Sequence, residues 1–382
     1  MKRVLIALAA LALLAGSAMS EEAQVIPYGF VQTWYSSASN GLDGDDAISE
    51  SGFGLKRARL AAMLKKDNFK GNIMIEGAGS FKVMDAFIDW TINDMFSLTM
   101  GRFRGAGSQA GGLTSPVVKD LPEYGLVGKN WAAGTVGGDS RTVGTELTIT
   151  PTKIIELKAL LHNGSGGTSF FHSTASGAYT GTTDTGMMPK MDFGAKAKLW
   201  PGTEAGFTMG LGNENRRNWR DDDGSGTPYF DDDDDPLTDE VMNWDEFYGD
   251  SNWSTHLHLN LGTLFAKFEM ASVLYKYDWD NDDDDITARG MAFTGGYIVL
   301  PQTQLVVRYD TWDPNTASDA ENNGQKNLTF GVNYSFNESQ FGLDYRNRVQ
   351  LALTKRMDEK PDGADDRADD MLIQFMWTYL IK

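Results

Sequence analysis

The last stretch of the chain, Met371 to Lys382, restricts the fold more than any other. Side chains on a β-strand point alternately to its two faces, so Met371, Ile373, Phe375, Trp377, Tyr379 and Ile381 share one face. That face is wholly apolar or aromatic, while Leu372, Gln374, Met376, Thr378 and Leu380 make a mixed one. Such a strand is long enough to cross a bilayer when tilted, since about 9–11 residues suffice. Lipid offers backbone groups no hydrogen bonds, and only helices and closed barrels satisfy them internally.

The other end of the chain decides between those two. Lys2-Arg3, the apolar run Val4 to Ala15 and Ala18-Met19-Ser20 before Glu21 read as a secretory signal over 1–20. Its apolar core is too short for a membrane-crossing helix, and no longer run follows. The mature chain, 21–382, is therefore expected to be exported, as a soluble protein or as one barrel domain. With 0 cysteines there is no disulfide framework, thiolate metal site or cysteine nucleophile.

Between these ends lie about 16 strand candidates. They fall near 25–35, 53–66, 68–79, 81–92, 95–104, 141–150, 153–163, 189–200, 203–213, 251–261, 264–277, 287–299, 303–312, 326–336, 340–353 and 371–382. Their connectors alternate short and long. Lys66-Asp67-Asn68, Pro151-Thr152, Pro201-Gly202, Gly262-Thr263, Leu300-Pro301-Gln302 and Asn337-Glu338-Ser339 are short, whereas 105–140, 163–189 and 214–250 are long. The segment 105–140 is Gly-rich and carries almost no periodicity. Aromatics gather near strand ends, at Tyr28, Trp34, Tyr35, Trp90, Trp200, Trp253, Trp279, Trp312 and Tyr379, as interfacial girdles require. A secreted β-sandwich or β-solenoid would also bury aromatics, but nothing in it demands alternating loop lengths. The pattern predicts an all-β, transmembrane antiparallel β-barrel of about 16 strands, with short periplasmic turns and long extracellular loops.

The closing strand resembles that of bacterial outer-membrane barrels, with Ile381-Lys382 where a terminal Phe is usual. The stretch 53–104 also resembles the front of the phosphate-selective porin O/P family. It reads Lys56-Arg57-Ala58-Arg59, then Asn72 to Ala78, then Asp85-Ala86-Phe87-Ile88-Asp89, then Gly101-Arg102-Phe103-Arg104. The family's Pro-Phe-Ser after that glycine is replaced by Gly105-Ala106-Gly107-Ser108. The resemblance implies a 16-strand trimeric channel in the bacterial outer membrane for passive diffusion of small hydrophilic solutes. Preference for anions or phosphate is not fixed by it. The alternative is a barrel acting as sheath or anchor for a partner protein, without transport.

Strand parity proposes which charges line a pore. Arg57, Arg59, Lys196, Lys198, Arg308, Arg346 and Arg348 fall opposite apolar neighbours and are expected in the lumen. Lys119 and Lys129 would join them if 105–140 folds inward as a constriction. Acidic lumen candidates are Glu76, Asp85, Asp89, Asp192, Glu204, Asp310 and Asp344. Arginine presents a fixed fork of donors suited to oxyanions, so a basic wall could select anions. The opposing reading is that mixed charges pair with each other and stiffen the wall. Arg102 and Arg104 share the parity of Leu98 and Met100 and are expected at the outer rim.

The aspartate runs Asp221–Asp223, Asp231–Asp235 and Asp282–Asp285 read as solvated faces with at most weak Ca²⁺ or Mg²⁺ affinity. The last is no EF-hand, because the sixth and twelfth positions are Asp283 and Arg289. His256-x-His258 lies on one strand face, but no third ligand is identifiable, so it reads as pore lining rather than a metal site. No Gly-x-Ser-x-Gly context supports a hydrolase, and no enzyme is expected. Expected partners are outer-membrane lipid, lipopolysaccharide, two further copies of the chain, and small solutes or anions; no nucleic acid is expected. Loops 36–52, 214–250, 278–286, 313–325 and 354–370 carry a net −27 of the mature −21, leaving +6 for everything else. Proteolysis of intact cells should cut within 214–250 and spare the turns at Asp67 and Pro301. Cleavage at those turns instead would invert the orientation.

Overall fold

The structure is a computed structural model. It describes residues 23–39, 49–79, 81–105, 115–135, 141–162, 190–211, 247–277, 286–316, 324–337, 344–357 and 371–381. The signal segment, Trp279 and the three aspartate runs lie outside the described residues.

Sixteen antiparallel strands form a closed barrel. They are β1 (Gln24–Ser39), β2 (Ser49–Lys66), β3 (Phe69–Glu76), β4 (Lys82–Thr91), β5 (Phe96–Arg104), β6 (Arg141–Ile149), β7 (Ile155–His162) and β8 (Lys190–Trp200). There follow β9 (Thr203–Leu211), β10 (Phe247–Asn260), β11 (Leu264–Tyr277), β12 (Ile286–Leu300), β13 (Thr303–Asp313), β14 (Gln325–Ser335), β15 (Asn347–Arg356) and β16 (Met371–Ile381). Each strand pairs with its sequence neighbours, and β16 closes on β1 from Gly29↔Ile381 to Ser39↔Met371. No edge is left unpaired, which is the condition a sheet must meet in lipid.

Two-faced burial follows the sequence alternation. Along β16, Gln374, Met376 and Thr378 are buried inside while Ile373, Phe375, Trp377 and Tyr379 are exposed outside. Trp90, Trp200 and Tyr379 take the outer positions expected of a girdle. Three other aromatics turn inward. Tyr28 donates to Asn72 Oδ1 at 2.7 Å, Trp34 lies under the Lys56 ammonium, and Trp312 is buried in an apolar cluster.

Two bulges account for the parity errors in β2 and β4. The β1–β2 register skips Lys56, pairing Gln32 with Arg57 and Thr33 with Leu55. An extra residue reverses the faces beyond it, so Phe53 and Leu55 point out and Lys56 points in. The β3–β4 register likewise skips Met84. Met84, expected outside, is buried against Ala61 and Met74, and Val83 takes the outer face. The short-side connector from β14 to β15 is also longer than Asn337-Glu338-Ser339, and β15 begins at Asn347 rather than near 340.

The segment after β5 is not featureless. Helix α1 (Leu126–Thr135) packs inside the barrel on β11, β12 and β13. Leu126, Val127 and Trp131 bury against Ala271, Val273, Ala288, Ala292 and Trp312. Small residues on the inward face of β11 and β12 provide the flat surface this requires. The approach is close at Gly290, where an added Cβ would meet the Thr311 carbonyl and the Trp312 ring at 2.5 Å. Truncating Trp131 to Ala removes the anchor of this cluster, at a cost on the order of 3–5 kcal/mol. The expected result is faster hydrogen exchange in α1 with unchanged protection of the barrel strands. Equal loss in both would mean that the helix and barrel are one cooperative unit.

Candidate functional site: the lumen and its inserted segment

From Ser115 to Thr135 the chain runs along the inner wall, held by side chains that reach its backbone. Gln32 Nε2 donates to Pro116 O at 3.0 Å, and Arg348 Nη2 to Val117 O at 2.9 Å and Lys119 O at 2.6 Å. Asn333 Nδ2 reaches Asp120 O at 2.8 Å, and Arg308 Nη1 reaches Glu123 O at 3.0 Å. Asp310 accepts from the Leu126 amide at the start of α1. Lys267 pairs with Asp120 and Lys56 with Glu123. An irregular segment inside a barrel has unpaired amides and carbonyls, and the wall supplies their partners.

The anchoring strands are β1, β2, β11, β13, β14 and β15, one continuous arc once β12 and β16 are included. The opposite arc is β3 to β10, of which β10 also touches α1. Its inward charges form a chain of ion pairs: Arg141–Asp85 at 2.8 Å, Lys158–Glu146 at 2.6 Å and Lys198–Glu156 at 2.6 Å. Arg59 of β2 continues it with Glu76 at 2.7 Å. The reading in which mixed charges pair and stiffen the wall therefore describes most of this lining.

The sequence-derived basic residues divide accordingly. Arg59, Lys196, Lys198, Arg308 and Arg348 are lumenal, but each is engaged: Lys196 lies 3.4 Å from Glu156, and Arg308 lies 3.2 Å from Asp310. Arg348 is fully buried beneath the segment and stacked 4.6 Å from Tyr345, so it anchors rather than meets solute. Tyr345, expected on the outer face, is thereby placed on the lumenal side. Arg346 precedes β15 and sits exposed at the rim, forked onto Asp344 at 2.9 and 3.0 Å. Lys119 is buried, donating to Pro122 O, while Lys129 is exposed on α1. Arg57 is held by an amide side chain. It is half-buried, donates to Gln32 Oε1 at 3.0 Å, and has no carboxylate partner among the described residues.

Parity missed Lys56, turned in by the bulge, and Arg104. Arg104 interacts with Arg141, Tyr124, Asp85 and Arg59, so it belongs to the lumenal cluster and not to the outer rim. Phe103 beside it keeps the inward parity, packed on Leu160, so strict alternation fails only at the strand's last residue.

Burial pushes the Glu123 carboxyl up, and the Lys119 and Lys56 ammonium groups outweigh it, holding it at about 2. Burial drives Lys119 itself well below the ordinary lysine value, against the pull of Glu123. The direct contact with Lys56 makes the depressed carboxylate the governing direction.

Thr142, His162 and Asp192 align as hydroxyl, imidazole and carboxylate, at 2.9 and 3.0 Å. All three are at most 2% exposed, which denies a substrate access to the hydroxyl.

No protein-family model and no curated protein matches the chain. The resemblance to phosphate-selective porins O/P therefore has no matching family model. Solved structures match across nearly the whole barrel. The anion-selective porin of Comamonas acidovorans is 14% identical with a TM-score of 0.64, covering 94% of this chain and 100% of that one. A trimeric form of OmpT, an outer-membrane protein of Vibrio cholerae, is 13% identical with a TM-score of 0.60, covering 94% and 100%. The outer-membrane channel DcaP of Acinetobacter baumannii is 14% identical with a TM-score of 0.57, covering 95% and 99%. At these identities the likeness defines the fold class, a 16-strand porin-type barrel.

Two measurements test the anchoring. Arg348→Ala strands the Val117 carbonyl, at a cost on the order of 1–3 kcal/mol, and leaves Lys119 O only the Gln350 amide at 3.3 Å. Amide protection over 117–125 should fall while β1 and β16 keep theirs; an unchanged segment would refute the anchor. Because Glu123 is depressed below the ordinary carboxylate value of about 4.3, its contribution is complete above that pH and disappears as pH falls toward 2. Segment protection should thus be flat from about pH 7 to 5 and decline below about 4. Glu123→Gln should show the loosened segment already at neutral pH.

Proposed function

We propose that the chain is an outer-membrane porin, a water-filled channel for passive diffusion of small hydrophilic solutes with a weak anion preference. One observation carries this. A closed barrel with an apolar exterior encloses a charged interior that a segment anchored on the β11 to β2 arc narrows. A sheath or anchor has no need of such a partial constriction. The segment 105–140 acts as the constriction, and the path runs past β3 to β10.

The anion preference rests on Arg57. Paired charges along the arc cancel locally, and a guanidinium without a carboxylate keeps its fork available to a passing oxyanion. The resemblances to an anion-selective porin and to a trimeric barrel point the same way, toward an anion-preferring homotrimer in the bacterial outer membrane. Phosphate is one member of that solute class; a specific phosphate site has no further support. The reading assigns the chain no enzymatic role. The acidic loops take weakly bound Ca²⁺ or Mg²⁺ and meet lipopolysaccharide at the outer rim.

The zero-current potential across a planar bilayer under a salt gradient tests the reading. Wild-type channels should prefer anions at moderate salt and drift toward cations at low salt, as the field of the acidic loops reaches beyond about 10 Å. Arg57→Ala should reduce the anion preference at a cost of about 1–3 kcal/mol, because it leaves Gln32 Oε1 buried without its donor. Arg59→Ala should destabilise the wall further by leaving the Glu76 charge buried without its ion pair. Cation preference at every salt concentration would overturn the anion reading. Absence of conductance would overturn the channel.

A further inference from the structure

The His256-x-His258 pair gains in three dimensions the ligand that the sequence does not show. Glu204 on β9 is the register partner of His258, and Glu269 on β11 is the register partner of His256. Both carboxylates therefore converge on the two imidazoles from adjacent strands. Glu204 Oε1 lies 3.4 Å from His256 Nε2 and 4.0 Å from His258 Nδ1. His258 Nε2 is engaged by Glu269 Oε1 at 2.8 Å. The ring of His256 leans over Gly206, where a Cβ would come within 2.4 Å of its Cε1. A side chain at 206 would displace that ring from Glu204.

His256 is 7% exposed, and among the described residues its Nε2 has only the long 3.4 Å approach to Glu204 Oε1. A buried nitrogen left in this state calls for an electrophile. Metal–ligand bonds of about 2.1 Å place two ligands of one ion about 3–4.2 Å apart, according to the angle between them. Both separations from Glu204 fall in that range. The outer contact also has a recognisable role, since a metal-bound imidazole commonly donates its other N–H to a carboxylate, as His258 can to Glu269. Among the described residues no three such donors are already placed to hold an ion, so the ion must draw these together. Lys196, 3.8 Å from Glu204, opposes the ion, and it retains Glu156 as a partner when Glu204 turns away.

We propose that His256 Nε2, His258 Nδ1 and Glu204 form a lumenal site for a late first-row divalent cation such as Zn²⁺ or Cu²⁺, with Glu269 orienting His258. Imidazole and carboxylate together suit these ions better than Ca²⁺ or Mg²⁺. The site adjoins, through His258, a cavity lined by Glu269, Lys267 and the inserted segment. A bound ion adds two positive charges to the wall there. The effect on current rests on the channel reading, but binding itself does not.

The test uses full-length barrel in detergent, checked for folding by its heat-dependent gel mobility, and titrated with Cu²⁺ or Zn²⁺. One Cu²⁺ per chain should give a paramagnetic resonance spectrum with hyperfine structure from two imidazole nitrogens. Glu269→Gln should weaken binding about 10–100-fold. Gly206→Ala, which keeps every donor, should also weaken it. In a planar bilayer, micromolar Zn²⁺ should change wild-type conductance and leave the His256→Gln, His258→Gln double variant unaffected. An oxygen-only spectrum, or Zn²⁺ binding undiminished in the double variant, would assign the ion to the acidic loops and overturn the proposal. Binding in detergent without a current response would leave the metal site standing and count against the channel.

Discussion

Closure of β1 on β16 is the constraint from which the rest of the molecule follows. Eleven register pairs, Gly29↔Ile381 through Ser39↔Met371, join the two ends of the chain and remove the last open edge. Once the sheet is closed, every strand has an outside and an inside, and the two make opposite demands. The outside takes apolar side chains one by one, because each is separately solvated by lipid. The inside must satisfy each polar group against another, because the lumen wall is crowded and much of it is out of contact with bulk water. Gln32, Asn333, Arg348, Gln350 and Thr378, all fully buried, are products of that second demand.

The inserted segment resolves part of it. Its backbone supplies acceptors to Arg348, Gln350, Asn333 and Arg308, side chains whose burial would be costly without partners. Those residues in turn hold an irregular stretch that no sheet or helix could stabilise. The dependence is mutual, and it explains why so many basic residues of the lumen are unavailable for transport. A charge that anchors backbone is not free to follow a solute. The channel's selectivity therefore rests on the few groups left over, Arg57 foremost, rather than on the total of basic residues.

Strand existence was legible in the sequence because alternation of the β16 kind recurs around the barrel, and connector lengths gave the topology. What escaped were single-residue events. The bulges at Lys56 and Met84 shift faces without any change in composition that marks them. Helix α1 has only a modest apolar face, and its docking surface is made of alanines and valines that look ordinary in β11 and β12. The lumenal position of Arg348 was readable from parity, but its role was not, since its partners Val117 and Lys119 lie some two hundred residues away and offer only backbone. Glu204 could not be joined to His256 before β9 and β10 were set in register.

The central claim is that the segment lies within the barrel against β13 to β15, and the absence of cysteine makes it directly testable. Leu121 is buried with its Cδ2 atom 2.3 Å from where a Cβ on Gly331 would stand. A Leu121→Cys, Gly331→Cys pair should therefore oxidise to an intramolecular disulfide in the folded barrel, with β1 to β16 closure and heat resistance retained. Failure to cross-link in a protein that folds and closes normally would contradict the inserted segment and the one-sided channel built on it.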